Sequence, residues 1–482
     1  MHTDLSRPRR IGLALFAVLL ALTAAAVPAT ARADHGTSGA LGVRADRAVM
    51  SRSLMVALEK AHANIPAFSR QTGMACAACH YQFPALTPFG RLFKLNGYTL
   101  TGIATLTTPT DTSSNPDLKL LTIPPMAAMF VGDFAQTTKA VPGTQNGTVQ
   151  FPDQASLFVG GAITPNLGIF SQFTYAAADG TFGMDNLDLR YAKTHEIGDH
   201  SLLFGMTLNN NPTVQDVWNT VPAWGFPFMG SEVVPAPAAG SVIDGALGQA
   251  VVGLGAYTLL DNKLYTEFDV YRSSPQGAAL PLDASSQGAM SNVAPYWRLA
   301  WQQQMNQDYL MVGTFGMHAE MYPSGVTGLT NQFTDVGVDA QYEHPTGAGA
   351  VIGRASYIHE SQNRVADFTA GASQQHDNLS TLRANVSLAT SLHYGATLGF
   401  FQTTGTTDGT LYAANPVDGS ASGSPNSSGF LGELDYNVWQ NVRLGLQYTL
   451  YTKFNGAGSN YDGFGRSAGD NNTLYLFTWL AF

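Results

Sequence analysis

From about Met126 to its last residue the chain alternates apolar and polar residues with a period of two. That period puts successive side chains on opposite faces of a strand, and a helix cannot carry it. Thr334, Val336, Val338, Ala340 and Tyr342 interleave with Asp335, Gly337, Asp339, Gln341 and Glu343. Val442, Leu444, Leu446, Tyr448 and Leu450 interleave with Arg443, Gly445, Gln447 and Thr449. Around Glu433, Asp435 and Arg383 the pattern repeats. A soluble sandwich also alternates, so the connections decide between the two. Tight joints (Thr164-Pro165-Asn166, Asp261-Asn262, Asn306-Gln307, Thr346 to Gly349, Gln440-Asn441) take turns with long ones at about 138–153, 212–248, 274–290, 362–377, 404–428 and 455–470. Turns on one side and loops on the other describe a transmembrane β-barrel, and the runs between joints number about sixteen antiparallel strands.

Composition agrees. Charged residues make up 12% of the chain, about half of the usual ~25%. Hydrophobic content is an ordinary 45%, with 50 glycines and 11% aromatics. No stretch after the N-terminus reaches the ~18 consecutive apolar residues that a spanning helix needs. Apolar residues that alternate instead of clustering are what a barrel wall requires. In lipid only closure removes unpaired backbone edges. The last strand, Leu474 to Phe482, ends on an aromatic residue, similar to the signal by which bacterial barrels are recognised for insertion. The net charge of −10 excludes a nucleic-acid partner.

The N-terminus reads as a secretory leader. Arg7, Arg9 and Arg10 precede an apolar run from Ile11 to Val27, and Ala31-Arg32-Ala33 supplies a cleavage site. Residues 1–33 are therefore expected to be removed, and their four arginines leave the mature chain still more acidic. Export opens the outer membrane of a Gram-negative bacterium as destination.

Residues 34–120 have a different character. Arg44 to Ala63 shows helical spacing and Pro66 closes it. Then follow the chain's only two cysteines, in Cys76-Ala77-Ala78-Cys79-His80. This is the attachment pattern of a c-type haem. Two thiols three positions apart on one turn each bond a haem vinyl group, and His80 is carried beneath the ring to bind iron as proximal ligand. A thioredoxin-like pair lacks a surrounding βαβ pattern, a zinc site lacks a second Cys/His pair, and a disulfide gives no reason for His80. Phe83, Pro84, Pro88, Phe89 and Phe93 are apolar enough to pack a haem edge. Fewer than ninety residues can hardly bury a haem alone, so walls must come from elsewhere. A barrel of about sixteen strands (residues 121–482) leaves a lumen that this segment would plug from the periplasmic side.

The stretch Ile65 to Tyr98, IPAFSRQTGMACAACHYQFPALTPFGRLFKLNGY, resembles the fused monohaem cytochrome–porin proteins of the outer membrane, whose best-known members are iron oxidases of iron-oxidising bacteria. The motif likeness covers about thirty-five residues. It implies one covalently bound haem c on Cys76 and Cys79 with His80 as proximal ligand. It also implies electron flow from extracellular Fe(II) or another donor to a periplasmic carrier such as a cytochrome c.

For the sixth iron ligand the candidate is Met129, which the alternation points into the lumen with Asp133; Met126, His62 and His35 are the alternatives. Glu267, Asp269, Asp335, Asp339, Glu433 and Asp435 are expected in the lumen beside Arg298, Arg383 and Arg443, as ordinary lumen polarity. His318, His344, His359 and His393 show no metal-ligand spacing. The segment 212–248, with Trp218, Trp224 and five prolines, reads as an external loop, with a docking surface or a fold over or into the pore as the alternatives. No nucleophile triad, phosphate loop or acid pair points to hydrolysis. Two functions remain: a redox conduit, or a solute channel in which the haem segment serves as plug or sensor.

Overall fold

The computed structural model describes residues 66–100, 125–276, 280–390 and 393–482, within the unit Pro66–Phe482. The leader, the helix expected at 44–63, His35 and His62 lie outside the described residues.

Sixteen strands form one closed antiparallel barrel, from Met126–Thr137 to Thr473–Ala481. Each pairs with its neighbours in sequence, and the last closes on the first with Phe134 opposite Leu476 and Met129 opposite Ala481. The wall therefore has no open edge, the condition for spanning lipid with strands. Tight joints lie at one end. Asp261, Asn262 and Asn306 take positive φ there, of 50°, 53° and 57°, as two-residue hairpin turns require. Long connections gather at the other end, although the first is shorter than its sequence suggests. The strand Thr148–Thr164 starts inside the expected loop, and Ala176 joins Thr181 by a four-residue turn.

Alternation resolves into two faces. Outward point Phe204, Met206, Leu208, Trp297, Leu299, Val336, Val338 and Val386, all exposed. Trp301, Tyr342, Tyr394, Tyr436 and Trp439 form an outward aromatic ring near the tight joints, as at a lipid–water boundary. Phe482 stacks on outward Phe130 at 5.9 Å. Inward point the expected Glu267, Asp269, Asp335, Asp339, Glu433, Asp435, Arg298 and Arg443, all buried, and the partly buried Arg383.

Two segments bond to the inner wall of the barrel. One is Pro66–Leu100, which contains helices α1 (Ala67–Thr72), α2 (Cys76–Cys79) and α3 (Pro88–Leu95) and a two-stranded hairpin between α2 and α3. Pro88 stands at the first position of α3 and the Thr87 hydroxyl accepts from the Gly90 N–H, so the proline-rich stretch starts a helix that it does not interrupt. The other insertion, residues 210–250, corrects the expectation of an external loop. Trp218 is 1% exposed and donates from Nε1 to Gln302 (3.1 Å) and Tyr309 (2.8 Å) on the inner wall. The Ile243 and Val242 N–H groups donate to Asp335 (3.0 Å) and Glu360 (2.6 Å). An apolar, proline-punctuated segment finds more burial inside the lumen than in water, and the inward carboxylates satisfy its backbone.

Candidate functional site

The inserted Pro66–Leu100 segment is fixed to the wall by buried, charge-assisted bonds. Arg91 lies across Glu343 with both nitrogens on both oxygens (2.5 and 3.2 Å), and its guanidinium stacks 4.2 Å from the Tyr309 ring. Tyr98 donates to Asp188 (2.6 Å), Tyr257 to the Leu95 carbonyl (2.6 Å), and Arg443 to the Phe83 carbonyl (3.1 Å). Gln82 donates to Asp435. The Cys76 N–H donates to Gln440 (3.3 Å) in a tight joint, so the motif sits at the turn end of the barrel. Lys94 donates to the carbonyls of Val214 (2.7 Å) and Asp216 (2.8 Å), which ties this segment to the second insertion. Burial pushes the Lys94 ammonium down to about 7, with nearby Arg190 acting in the same direction.

Close approach needs glycine at two places. A Cβ on Gly90 would come 2.1 Å from the Cys79 carbonyl oxygen, which lets α3 lie directly on the motif. A Cβ on Gly168 would come 2.1 Å from the Gly97 carbonyl oxygen, where the end of the insertion meets the wall.

Between the two insertions and the wall lies a cavity of about 650 Å³, within the roughly 300–1,000 Å³ of cofactor pockets. Cys76, Cys79 and His80 line it, with Phe83, Pro84 and Phe93 beside them. Phe89 and Pro88, also expected there, are not among the lining residues, and Phe89 is 37% exposed. The wall adds Met129, Phe158 and Trp479, and the second insertion adds Trp224, Phe228 and Met229.

Both cysteines are free thiols on one turn. Burial raises the Cys76 thiol and pushes Cys79 up to about 11, with Cys76 adding to the effect. A redox-active pair needs the opposite shift, toward thiolate. The His80 ring borders the cavity, and burial pushes the imidazole down to about 4. Its Nδ1 faces the Pro84 carbonyl at 3.3 Å. An imidazole that uses Nδ1–H on a backbone carbonyl keeps Nε2 as a lone-pair donor, the usual orientation of an iron-binding histidine. Paired thiols, an oriented neutral imidazole and an apolar aromatic cavity are the set that a c-type haem requires, and the residues present fit it.

Met129 points inward, is 3% exposed and lines this cavity. Met126 is 40% exposed on the outer face and has no place in it. Met74 and Met229 line the same cavity and were missed from sequence. The run Trp224 to Met229 (WGFPFM) carried the signal, being too apolar for an external loop.

Three of the six inward acids are paired with arginine. Arg443 bonds Glu433 (2.7 Å) and Asp435 (2.6 Å), and Arg298 bonds Asp339 (2.6 Å). Among the described residues no three His, Cys, Asp or Glu side chains are placed to share a metal ion. His318, His344 and His359 bond Thr334, Asp308 and Ser380.

No family model matches the chain, and no curated protein is similar to it. Among solved structures it is similar to the anion-selective porin of Comamonas acidovorans (12% identity, TM-score 0.45, covering 74% of this chain and 98% of that one). It is similar to the channel DcaP of Acinetobacter baumannii (10%, TM-score 0.44, 74% and 96%) and to OmpF of Salmonella typhi (12%, TM-score 0.40, 74% and 97%).

Proposed function

We propose that this chain is an outer-membrane electron-transfer protein with one c-type haem held in the cavity at Cys76, Cys79 and His80. It would relay single electrons from an extracellular donor to a periplasmic carrier. The observation that supports this reading most is convergence: two free thiols, an oriented imidazole and a buried methionine border one apolar cavity inside a closed barrel. Bound there, a haem supplies one-electron chemistry at iron. Cys76 and Cys79 would fix it, His80 Nε2 would be its proximal ligand and Met129 the distal one. Phe83, Phe93, Phe158 and Trp479, which line the cavity, would pack against the ring and keep water from it. The apolar outer face, the aromatic ring and the closed barrel suit lipid and support the outer membrane as the place.

We infer Fe(II) as the donor from the resemblance of Ile65–Tyr98 to the cytochrome–porin family. The test is to oxidise the purified protein, add Fe(II) and follow the haem absorption bands. Rapid reduction in the parent, absent from a Cys76→Ala/Cys79→Ala variant, is expected. A haem that stays oxidised at a favourable potential discards iron as the donor.

A second reading has its own support. Sixteen-stranded barrels leave an aqueous lumen unless something fills it, so a solute channel with a haem-bearing plug is the alternative. Conductance in a planar bilayer separates them. Two insertions bonded to the wall predict little conductance in the conduit, whereas a steady open pore favours the channel.

A further inference from the structure

One side of the lumen collects carboxylates that no cation answers. Asp133 and Asp153 stand on the neighbouring strands Met126–Thr137 and Thr148–Thr164, 6% and 0% exposed, and none of their four oxygens has a hydrogen-bond partner. The Tyr475 hydroxyl and the Gln150 backbone lie beside Asp133, and neither closes a bond. Asp133 points inward between Val131 and Ala135, which pack with Met229 and Val234 of the inserted segment 210–250, so it faces the stretch that carries Glu232. Among the described residues the charged groups that act on these acids are carboxylates: Asp153 and Glu232 on Asp133, Glu232 on Asp153, and Asp179 and Asp185 on Glu232. Asp179 lies in the turn between Ala176 and Thr181, at the end of the barrel with the long connections.

Glu232 opens this group to the cavity around Cys76, which it lines while being itself exposed. Two other charged side chains on that lining are already engaged. Lys94 donates to the Asp216 carbonyl, and the Asp216 carboxylate lies 3.5 Å from Arg298. Toward Glu232 the wall adds amides: Gln154 follows Asp153, Asn186 follows Asp185, and Gln172 accepts from Asn186 at 3.4 Å. Buried carboxylates without donor or cation repel one another and are costly to keep. A hard divalent cation removes that cost, because it takes oxygen ligands, keeps several waters and needs only one or two carboxylates. No three acids are placed to share an ion, so contact falls to Glu232 and the amide oxygens, and the buried pair acts through its field. From this geometry we infer that the Glu232 end of the cavity is a seat for one hydrated divalent metal cation, held by Glu232 with Gln154 and Gln172 and drawn there by Asp133 and Asp153. The seat uses none of Cys76, Cys79, His80 or Met129, so it does not rest on the haem reading.

The test titrates Mn(II) into the full-length, detergent-solubilised protein and follows the free ion by electron paramagnetic resonance. One saturable Mn(II) per chain is expected, with affinity at least about tenfold weaker in Glu232→Gln, since affinity follows the charge of the ligands. Glu232 is exposed to the cavity, so this variant should fold as the parent does. Asp153→Asn should also weaken binding, whereas Asp283→Asn, at an exposed acid of the connection 274–290, should leave it unchanged. No saturable Mn(II) in the parent overturns the seat. So does undiminished binding in Glu232→Gln, or equal weakening in Asp283→Asn, which would reduce the effect to net charge. A haem stain of the same sample reads the haem proposal separately, because Mn(II) is counted whether or not haem is bound.

Discussion

Single side chains carry the docking of the motif segment, and two substitutions test that. Gly90→Ala forces a methyl group against the Cys79 carbonyl, where only 2.1 Å separates a Cβ from the oxygen. Backbone cannot yield as a flexible side chain can, so we expect a loss of about 1–3 kcal/mol and lower haem occupancy, read by thermal unfolding and haem stain. Glu343→Gln leaves Arg91 buried at 3% exposure without its anion. Removing one partner of a buried pair costs about 3–5 kcal/mol, so the segment should become open to protease while the barrel stays intact. Equal protease resistance in parent and variant would show that Arg91 does not hold it. Met129 is tested by spectroscopy. Met129→Ala should keep covalent haem but lose the signature of sulfur ligation, whereas Met229→Ala should retain it. The reverse result moves the distal ligand to the inserted segment.

Between elements, the contact most sensitive to pH is the one joining the two insertions. Lys94 of α3 is buried on the Val214 and Asp216 carbonyls and is pushed down to about 7, against an ordinary 10.5. Between those values the unfolded chain keeps the proton and the folded one has released it. The unfolded state therefore binds more protons, and stability rises with pH from about 7 toward 10.5. The urea midpoint for release of the motif segment should climb across that window, and Lys94→Met should flatten the climb. A midpoint that falls with pH in the parent would contradict the burial of this ammonium. The second insertion also shows where sequence stops being informative. Periodicity exposes strands because each strand's two faces meet different solvents. Segment 210–250 has no period, and its destination depends on Asp335, Asp339, Glu360 and Gln302, whose bonds to it span 84 to 119 residues of sequence. Only its aromatic and proline content hinted that it would leave water.

At the scale of the whole molecule, the strand count, the antiparallel order and the inward carboxylates were legible, since lipid outside and protein inside enforce alternation along every strand. Cys76, Cys79 and His80 stand out in the sequence by their spacing, and the structure brings all three to one cavity. The cavity was not: Met129, Phe158, Trp479 and Met229 converge only when the strands Met126–Thr137, Thr148–Thr164 and Thr473–Ala481 and the inserted segment close together. That closure also places the motif inside an insulating wall, which is the central claim. Its most direct test uses vesicles that enclose an electron acceptor, carry the protein in their membrane and receive Fe(II) outside. The account expects reduction of the enclosed acceptor with the parent and none with Cys76→Ala/Cys79→Ala. Equal acceptor reduction with that variant, or none with a haem-loaded parent, would contradict a redox conduit.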